Sequence, residues 1–155
     1  MGVTIRSLTD GDLDDYERLF TPLVRAALHV SSSAAERIYI KERIAQHESG
    51  TTFLFGVFCK DELIGALEIR DATTSRGQLY CWLNEQFWGN GYFQEALALA
   101  ASFYFNHTNE RYITAHVDCD NLRSYRALKK AGFADAGFQQ GPHGKQFELI
   151  YRKRL

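Results

Sequence analysis

The sequence predicts an α/β (α+β) domain in which helices flank one mixed sheet. Short runs of apolar, β-branched and aromatic residues recur along the chain, each of strand length. Two later stretches instead carry apolar residues at helical spacing. The segments follow in the order strand, helices, three strands, helix, strand, helix, two strands, an alternation that builds mixed sheets.

Each element has a local reason. Val3 to Leu8 alternates apolar and polar residues and reads as the first strand. Thr9 and Asp10 can cap a helix that carries Leu13, Tyr16, Leu19 and Phe20 on one face. Ser31, Ser32 and Ser33 cap a further helical stretch, with Ile38, Ile40 and Ile44 as its expected core contacts. Thr21 to Val30 has no decisive pattern and leaves open a helix after Pro22. Thr52 to Phe58 and Leu63 to Arg70 flank a turn at Lys60-Asp61-Glu62 and form a hairpin. A polar loop, Asp71 to Gly77, leads to a strand at Gln78 to Leu83. Tyr92 to Phe105 is an amphipathic helix that buries Leu97, Ala100, Ala101 and Tyr104. Arg111 to Asp118 is a strand, and Leu122 to Ala131 a helix stopped by Gly132. Phe133 to Gln140 and Gln146 to Arg152 close the chain as a hairpin around Gly141-Pro142-His143-Gly144.

Bulk properties narrow the function. At 155 residues, with 45% hydrophobic and 24% charged, the chain fits one domain that needs no metal or disulfide to complete its core. A formal net charge of -1 provides no global field for nucleic acid. Cys59, Cys81 and Cys119 have no close spacing, and Cys81 and Cys119 lie in apolar strand patterns. They read as reduced thiols, which favours a cytoplasmic location. No stretch is apolar enough for a membrane span, and no signal-peptide pattern opens the chain. Gly2 fails as a myristoylation start because Arg6 stands where Ser or Thr is needed. His, Cys and carboxylates show no metal-ligand spacing.

The most informative stretch is Gln86-Phe87-Trp88-Gly89-Asn90-Gly91, which follows a strand and opens a helix. Glycine lets the backbone turn tightly and approach a ligand, and the free amides of a helix start favour phosphate. An ordinary strand-to-helix loop also carries glycines, so this stretch alone does not decide. The Walker pattern is absent, and a dinucleotide fingerprint wants a third glycine where Gln94 stands. One strand and one helix later, Asn121-Leu122-Arg123-Ser124 opens a helix that ends Lys129-Lys130-Ala131-Gly132-Phe133, with Asn121 as a natural N-cap.

Together these elements resemble the GNAT superfamily of N-acetyltransferases. Its acetyl-CoA motif is Gln or Arg, two residues, Gly, one residue, then Gly or Ala, as in Gln86 to Gly91. Asn121, Ser124, Gly132 and Phe133 match a second family pattern at the same spacing. The hairpin at Asp61-Glu62 with Leu63-Ile64-Gly65, the strand Tyr80-Cys81-Trp82-Leu83, and Trp88 to Tyr92 followed by Glu95-Ala96-Leu97 are also similar. That last version is closest to the Rim-type branch, the acetyltransferases of ribosomal-protein N-termini and their relatives. The resemblance implies a mostly antiparallel seven-stranded sheet with about four helices, acetyl-CoA as co-substrate, no metal, and a monomer or homodimer. It also implies that pantetheine bonds the Trp82 and Leu83 backbone. The backbone amides of Phe87, Trp88, Gly89, Asn90, Gly91 and Tyr92 would hold the pyrophosphate, Gln86 would belong to the same cofactor-binding motif, Asn121 would touch the arm, and Arg123 or Arg126 would meet a phosphate.

The implied reaction is direct transfer to a primary amine, a protein or peptide N-terminus or a small amine, through a tetrahedral intermediate. An alkylammonium with a pKa near ~10.4 is almost wholly protonated at neutral pH, so its proton needs a route out. An amide near Leu83 would stabilise the oxyanion. Many family members place a Tyr in the last helix as general acid, but this chain has Leu128 there. Ser124 resembles the acid of part of the Rim-type branch and is assigned that role; Tyr125 points about 100° away. Glu68, read as sharing a face with Ile64 and Ala66, is the expected general base, and His116 is a second candidate on the polar face of its strand. Asp10, Asp12, Asp14 and Asp15 offer an acidic stretch for a cationic acceptor, or simply complement a helix dipole. The loss of the Tyr keeps a non-catalytic acyl-CoA-binding sensor as the alternative. A phosphate-binding domain outside this family ranks behind both.

Overall fold

The computed structural model describes residues 2–50, 52–70 and 77–154. Its strands are β1 (Thr4–Ser7), β2 (Thr52–Cys59), β3 (Glu62–Arg70), β4 (Gly77–Leu83), β5 (Tyr112–Asp118), β6 (Ala134–Gly141) and β7 (Gly144–Arg152). Its helices are α1 (Leu13–Arg18), α2 (Pro22–Leu28), α3 (Ser33–Glu48), α4 (Tyr92–His107) and α5 (Leu122–Lys130). The strands form one seven-stranded sheet in the order β1-β2-β3-β4-β5-β7-β6, antiparallel except between β4 and β5. Lys60 and Asp61 both take positive φ, 50° and 67°, the conformation of a tight turn that matches the twist of the β2–β3 hairpin. The polar loop expected at Asp71 to Gly77 lies outside the described residues apart from Gly77, which begins β4.

The sheet is covered on both faces. On one, α4 buries Ala96, Leu97, Ala100, Ala101, Tyr104 and Phe105 against Val57, Ile64, Leu67 and Ile69. On the other, Leu13, Tyr16 and Phe20 join Ile40 and Ile44 over Leu54, Leu63 and Ala66. Five α-helices appear rather than about four. The Thr21 hydroxyl caps α2 by accepting from the Val24 amide, and Pro22 supplies the first helical φ, so α2 stands apart from α1. Ile38 is a correction: it is 67% exposed, because two residues along a helix turn it about 200° from buried Ile40.

A bulge changes the facing of β3. Val57 pairs with Gly65 and Phe58 with Leu63, leaving Ile64 as the extra residue and reversing the alternation beyond it. Ile64, Leu67 and Ile69 therefore face α4, while Leu63 and Ala66 face α1 and α3. Glu68 shares the face of Ala66 but not that of Ile64, contrary to strict alternation.

The arrangement that positions the site is a split in the sheet. β4 and β5 pair at Gly77↔Ile113 and Gln78↔Thr114. β4 then continues along β3 to Leu83, and β5 along β7 to Asp118, with no further pairing between them. At the fork, His116 links three strands: its Nδ1 lies 2.8 Å from Gln78 Nε2, and its Nε2 3.3 Å from Glu148 Oε2. Beyond that clamp the strands part.

Two predictions follow from this packing. A Cβ built on Gly65 would stand 2.2 Å from the Trp82 carbonyl oxygen and 2.9 Å from Leu83 Cα. Gly65→Ala is expected to lower the unfolding free energy by about 2–3 kcal/mol in urea titration, since backbone cannot yield as a side-chain tip can. Separately, Arg6 of β1 makes a forked pair with Asp12 at 2.9 and 3.0 Å, and with the Thr9 amide it holds the Asp12 carboxyl below its usual range. A depressed folded pKa contributes stability above the unfolded value, near ~3.9, and loses it as pH falls through the folded value. Asp12→Asn should flatten that acid limb in melts recorded between neutral pH and pH ~3.

Candidate active site

Where β4 and β5 separate, a cleft of about 590 Å³ runs through the sheet. Its walls come from α4 and α5 on one face, the end of β4 in the middle, and Val24, Ala27 and Leu28 of α2 on the other. A long thin ligand could therefore lie partly on each side of the sheet.

The floor begins with the backbone of β4. The Asn84 amide donates to the Ile64 carbonyl on β3 at 2.8 Å, so strand alternation turns the Leu83 amide and carbonyl the other way, toward the gap. The Leu83 carbonyl already accepts from the Trp88 indole at 2.9 Å. Trp82 is a correction: its carbonyl faces Gly65 on β3, so its backbone is turned from the ligand edge. It contributes its indole instead, packed 4.7 Å from Phe20 and 5.8 Å from Tyr16 between ring centroids.

Asn84 then turns the chain. This buried side chain accepts from the Gln86 amide at 3.1 Å and donates to the Leu19 carbonyl at 3.0 Å, tying the turn to the end of α1. A 3-10 turn, Glu85–Phe87, leads to Gly89 and Gly91, at φ 83° and 78°. No heavy atom crowds a Cβ at Gly91, so glycine is demanded there by backbone conformation rather than by space. Gly91 is the N-cap of α4 and offers no capping side chain, so the first amides of that 16-residue helix are left for a ligand.

Opposite stands α5. Asn121 caps it by accepting from the Ser124 amide at 3.3 Å. Arg123, Arg126 and Lys130 line the cleft at helical spacing, and none forms a salt bridge among the described residues. The Arg123 guanidinium lies 3.6 Å over the Trp88 ring. This arrangement of uncapped amides facing unpaired cations is suited to a polyphosphate.

The cleft gathers Trp82, Leu83, Phe87, Trp88, Gly89, Gly91, Tyr92, Asn121, Arg123 and Ser124. Gln86 is a correction, its side chain exposed outside these walls; the Asn90 side chain is exposed as well and folds back toward the Phe87 and Trp88 carbonyls, which leaves its expected amide contact untouched. Glu68 is the larger correction. It lies outside the cleft, buried, with one oxygen held by Arg43 and the Thr52 hydroxyl and the other 3.3 Å from Arg70 Nε. A buried carboxylate held between two arginines away from the cleft is an ion-pair partner, not a base in reach of substrate. His116 has both ring nitrogens engaged and serves the strand fork. Tyr125 points out of the cleft, bonding Asp135 at 2.8 Å, and Leu128 belongs to the core. Ser124 is thus the hydroxyl that α5 presents to the cleft. Burial pushes the Cys81 thiol far above its usual range, which disfavours a covalent acyl-thiol.

Sequence reasoning missed Asn84, Gln94, Lys130 and the α2 wall. Lys130 was legible from its spacing to Arg123 and Arg126. The α2 wall was not, because nothing local says where a short helix docks.

A family model described as "Acetyltransferase (GNAT) domain" matches residues 3–134. The chain belongs to the GNAT acetyltransferase family. No curated sequence matches it significantly. Among solved structures, a Salmonella typhimurium acetyltransferase that modifies the N-terminal serine of ribosomal protein L7/L12 superposes with TM-score 0.86. Identity is 17%, covering 99% of this chain and 96% of that one. RimL, a ribosomal L7/L12 α-N-protein acetyltransferase in complex with coenzyme A, gives 0.83 at 17% identity over 98% and 94% of the two chains. The aminoglycoside acetyltransferase AAC(6')-Ib with coenzyme A and kanamycin gives 0.82 at 20% identity over 97% and 95%. At such identities the agreement is one of fold.

Proposed function

We propose that this GNAT domain transfers an acetyl group from acetyl-coenzyme A directly to a primary amine, either a protein or peptide N-terminus or a small amine. The observation that carries this reading is the cleft through the split sheet, with phosphate-binding groups on one face and an acceptor wall on the other. Relatives of the same fold are described with coenzyme A and with two kinds of amine acceptor, a ribosomal protein and an aminoglycoside.

Each group then has a task. The amides from Gly89 to Tyr92 hold the diphosphate, and Arg123, Arg126 and Lys130 balance its charge. Asn121 and the free edge of Leu83 guide the pantetheine arm as an added strand would be guided. The Leu83 amide faces the developing oxyanion, a contact worth about 3 kcal/mol in other enzymes. Ser124 gives a proton to the departing thiolate, a modest demand because thiols ionise near ~8.5. Apolar Val24, Ala27 and Leu28 keep water from the thioester.

Titrating coenzyme A calorimetrically should give saturable binding at micromolar concentration, weakened at least about tenfold in Arg126→Ala/Lys130→Ala and by raised salt. No heat at millimolar coenzyme A would sink the reading. Ser124→Ala is expected to reduce kcat by about a hundredfold while leaving the KM for acetyl-CoA within about twofold. Unchanged turnover would remove Ser124 from the mechanism and leave the binding assignment intact.

A further inference from the structure

The acceptor side of the cleft holds an unbalanced carboxylate. Most of the acidic stretch at the start of the chain is already matched: Asp12 pairs with Arg6, Asp14 and Glu17 with Arg37, and Asp15 with Arg18, while Asp10 is exposed to solvent. Glu68 has Arg43 and Arg70. Glu36, in the first turn of α3, has no cation among the described residues. Its hydrogen bond comes from the neutral Tyr16 hydroxyl, at 3.1 Å. Burial, together with the nearby charge of Glu68, pushes its pKa above the usual range despite that bond. An anion so placed gains from any cation that reaches it.

Glu36 is also joined to the cleft. Tyr16, buried, stands edge-on to Trp82, with ring centroids 5.8 Å apart. The Tyr16 ring thus bridges the Glu36 carboxylate, through its hydroxyl, and the indole that lines the cleft. Tyr39 and Tyr80, exposed nearby, already have the guanidinium groups of Arg43 and Arg70 over their rings, at 5.9 and 4.3 Å, so the ring open to a ligand is that of Trp82, backed by Tyr16. Aromatic faces beside a desolvated carboxylate are suited to an alkylammonium.

We infer that Glu36, with Tyr16 and Trp82, forms a subsite for a second positive charge on the acceptor, so that the preferred substrate is a dicationic or polycationic amine. This rests on the acetyl-transfer reading and specifies the acceptor class within it. One ammonium would sit at Glu36 while the reacting nitrogen, deprotonated, reaches the thioester at the gap beside Leu83. Glu36 binds and orients; it takes no proton from the reacting nitrogen in this scheme.

The test is equilibrium binding, which needs no turnover. Putrescine and butylamine are titrated calorimetrically into the protein saturated with coenzyme A. The diamine is expected to bind at least about tenfold more tightly, and raised salt should erode the difference. Glu36→Gln keeps an acceptor for the Tyr16 hydroxyl while removing the charge, and should abolish the preference without changing coenzyme A affinity. Equal affinity for the two amines in the unmodified protein, or a preference that survives Glu36→Gln, overturns the subsite. The coenzyme A titration reports separately on the acetyl-transfer reading, so the two failures are distinguishable.

Discussion

The site depends on one constraint: β4 and β5 are parallel neighbours that pair for two residues and then separate. Strand edges carry unsatisfied amides and carbonyls, which a folded chain normally pairs or covers. In this fold the separated edge of β4 faces a cleft, and its Leu83 amide is left for a ligand. The parting is held open from both sides. Antiparallel partners β3 and β7 pair with each strand to its end, and His116 ties β4, β5 and β7 together at the fork.

Around that fork the two faces of the sheet divide the chemistry. The α4–α5 face supplies uncapped amides and a row of cations, the complement of a polyphosphate. The α1–α3 face supplies aromatic rings and a half-buried carboxylate, Glu36, with no cation among the described residues, the complement of an amine. Because the cleft passes through the sheet, groups recognised on opposite faces can meet at its middle. Asn84 keeps the two halves in register, since it bonds both the turn before α4 and the last residues beside α1.

Much of the fold was legible in the residues. Alternation and helical spacing located the seven strands and the two long helices after β4 to within a few residues, and the Gly89–Gly91 spacing pointed to the helix start where the cleft lies. The misreadings share one cause. Ile38 looked like core by residue type, but burial depends on the angle around the helix. Glu68 was assigned its face by counting in twos, and the bulge at Ile64 breaks that count while Arg43 and Arg70, distant in sequence, occupy its oxygens. Gln86 belongs to the right turn, yet its side chain points outward.

What the sequence determined alone were the properties set by neighbours in the chain: the turn at Lys60 and Asp61, the cap at Asn121, the glycine at the start of α4, and the cationic spacing on α5. Tertiary structure decided where those elements meet. Whether a carboxylate is a base, a buried ion-pair partner or a free anion depends on which cations the fold brings near it. Glu36 and Glu68 are alike as residues, and only the packing of α3 on the sheet makes one available and the other spent. Local spacing encodes local geometry; charge balance is a sum over the whole fold.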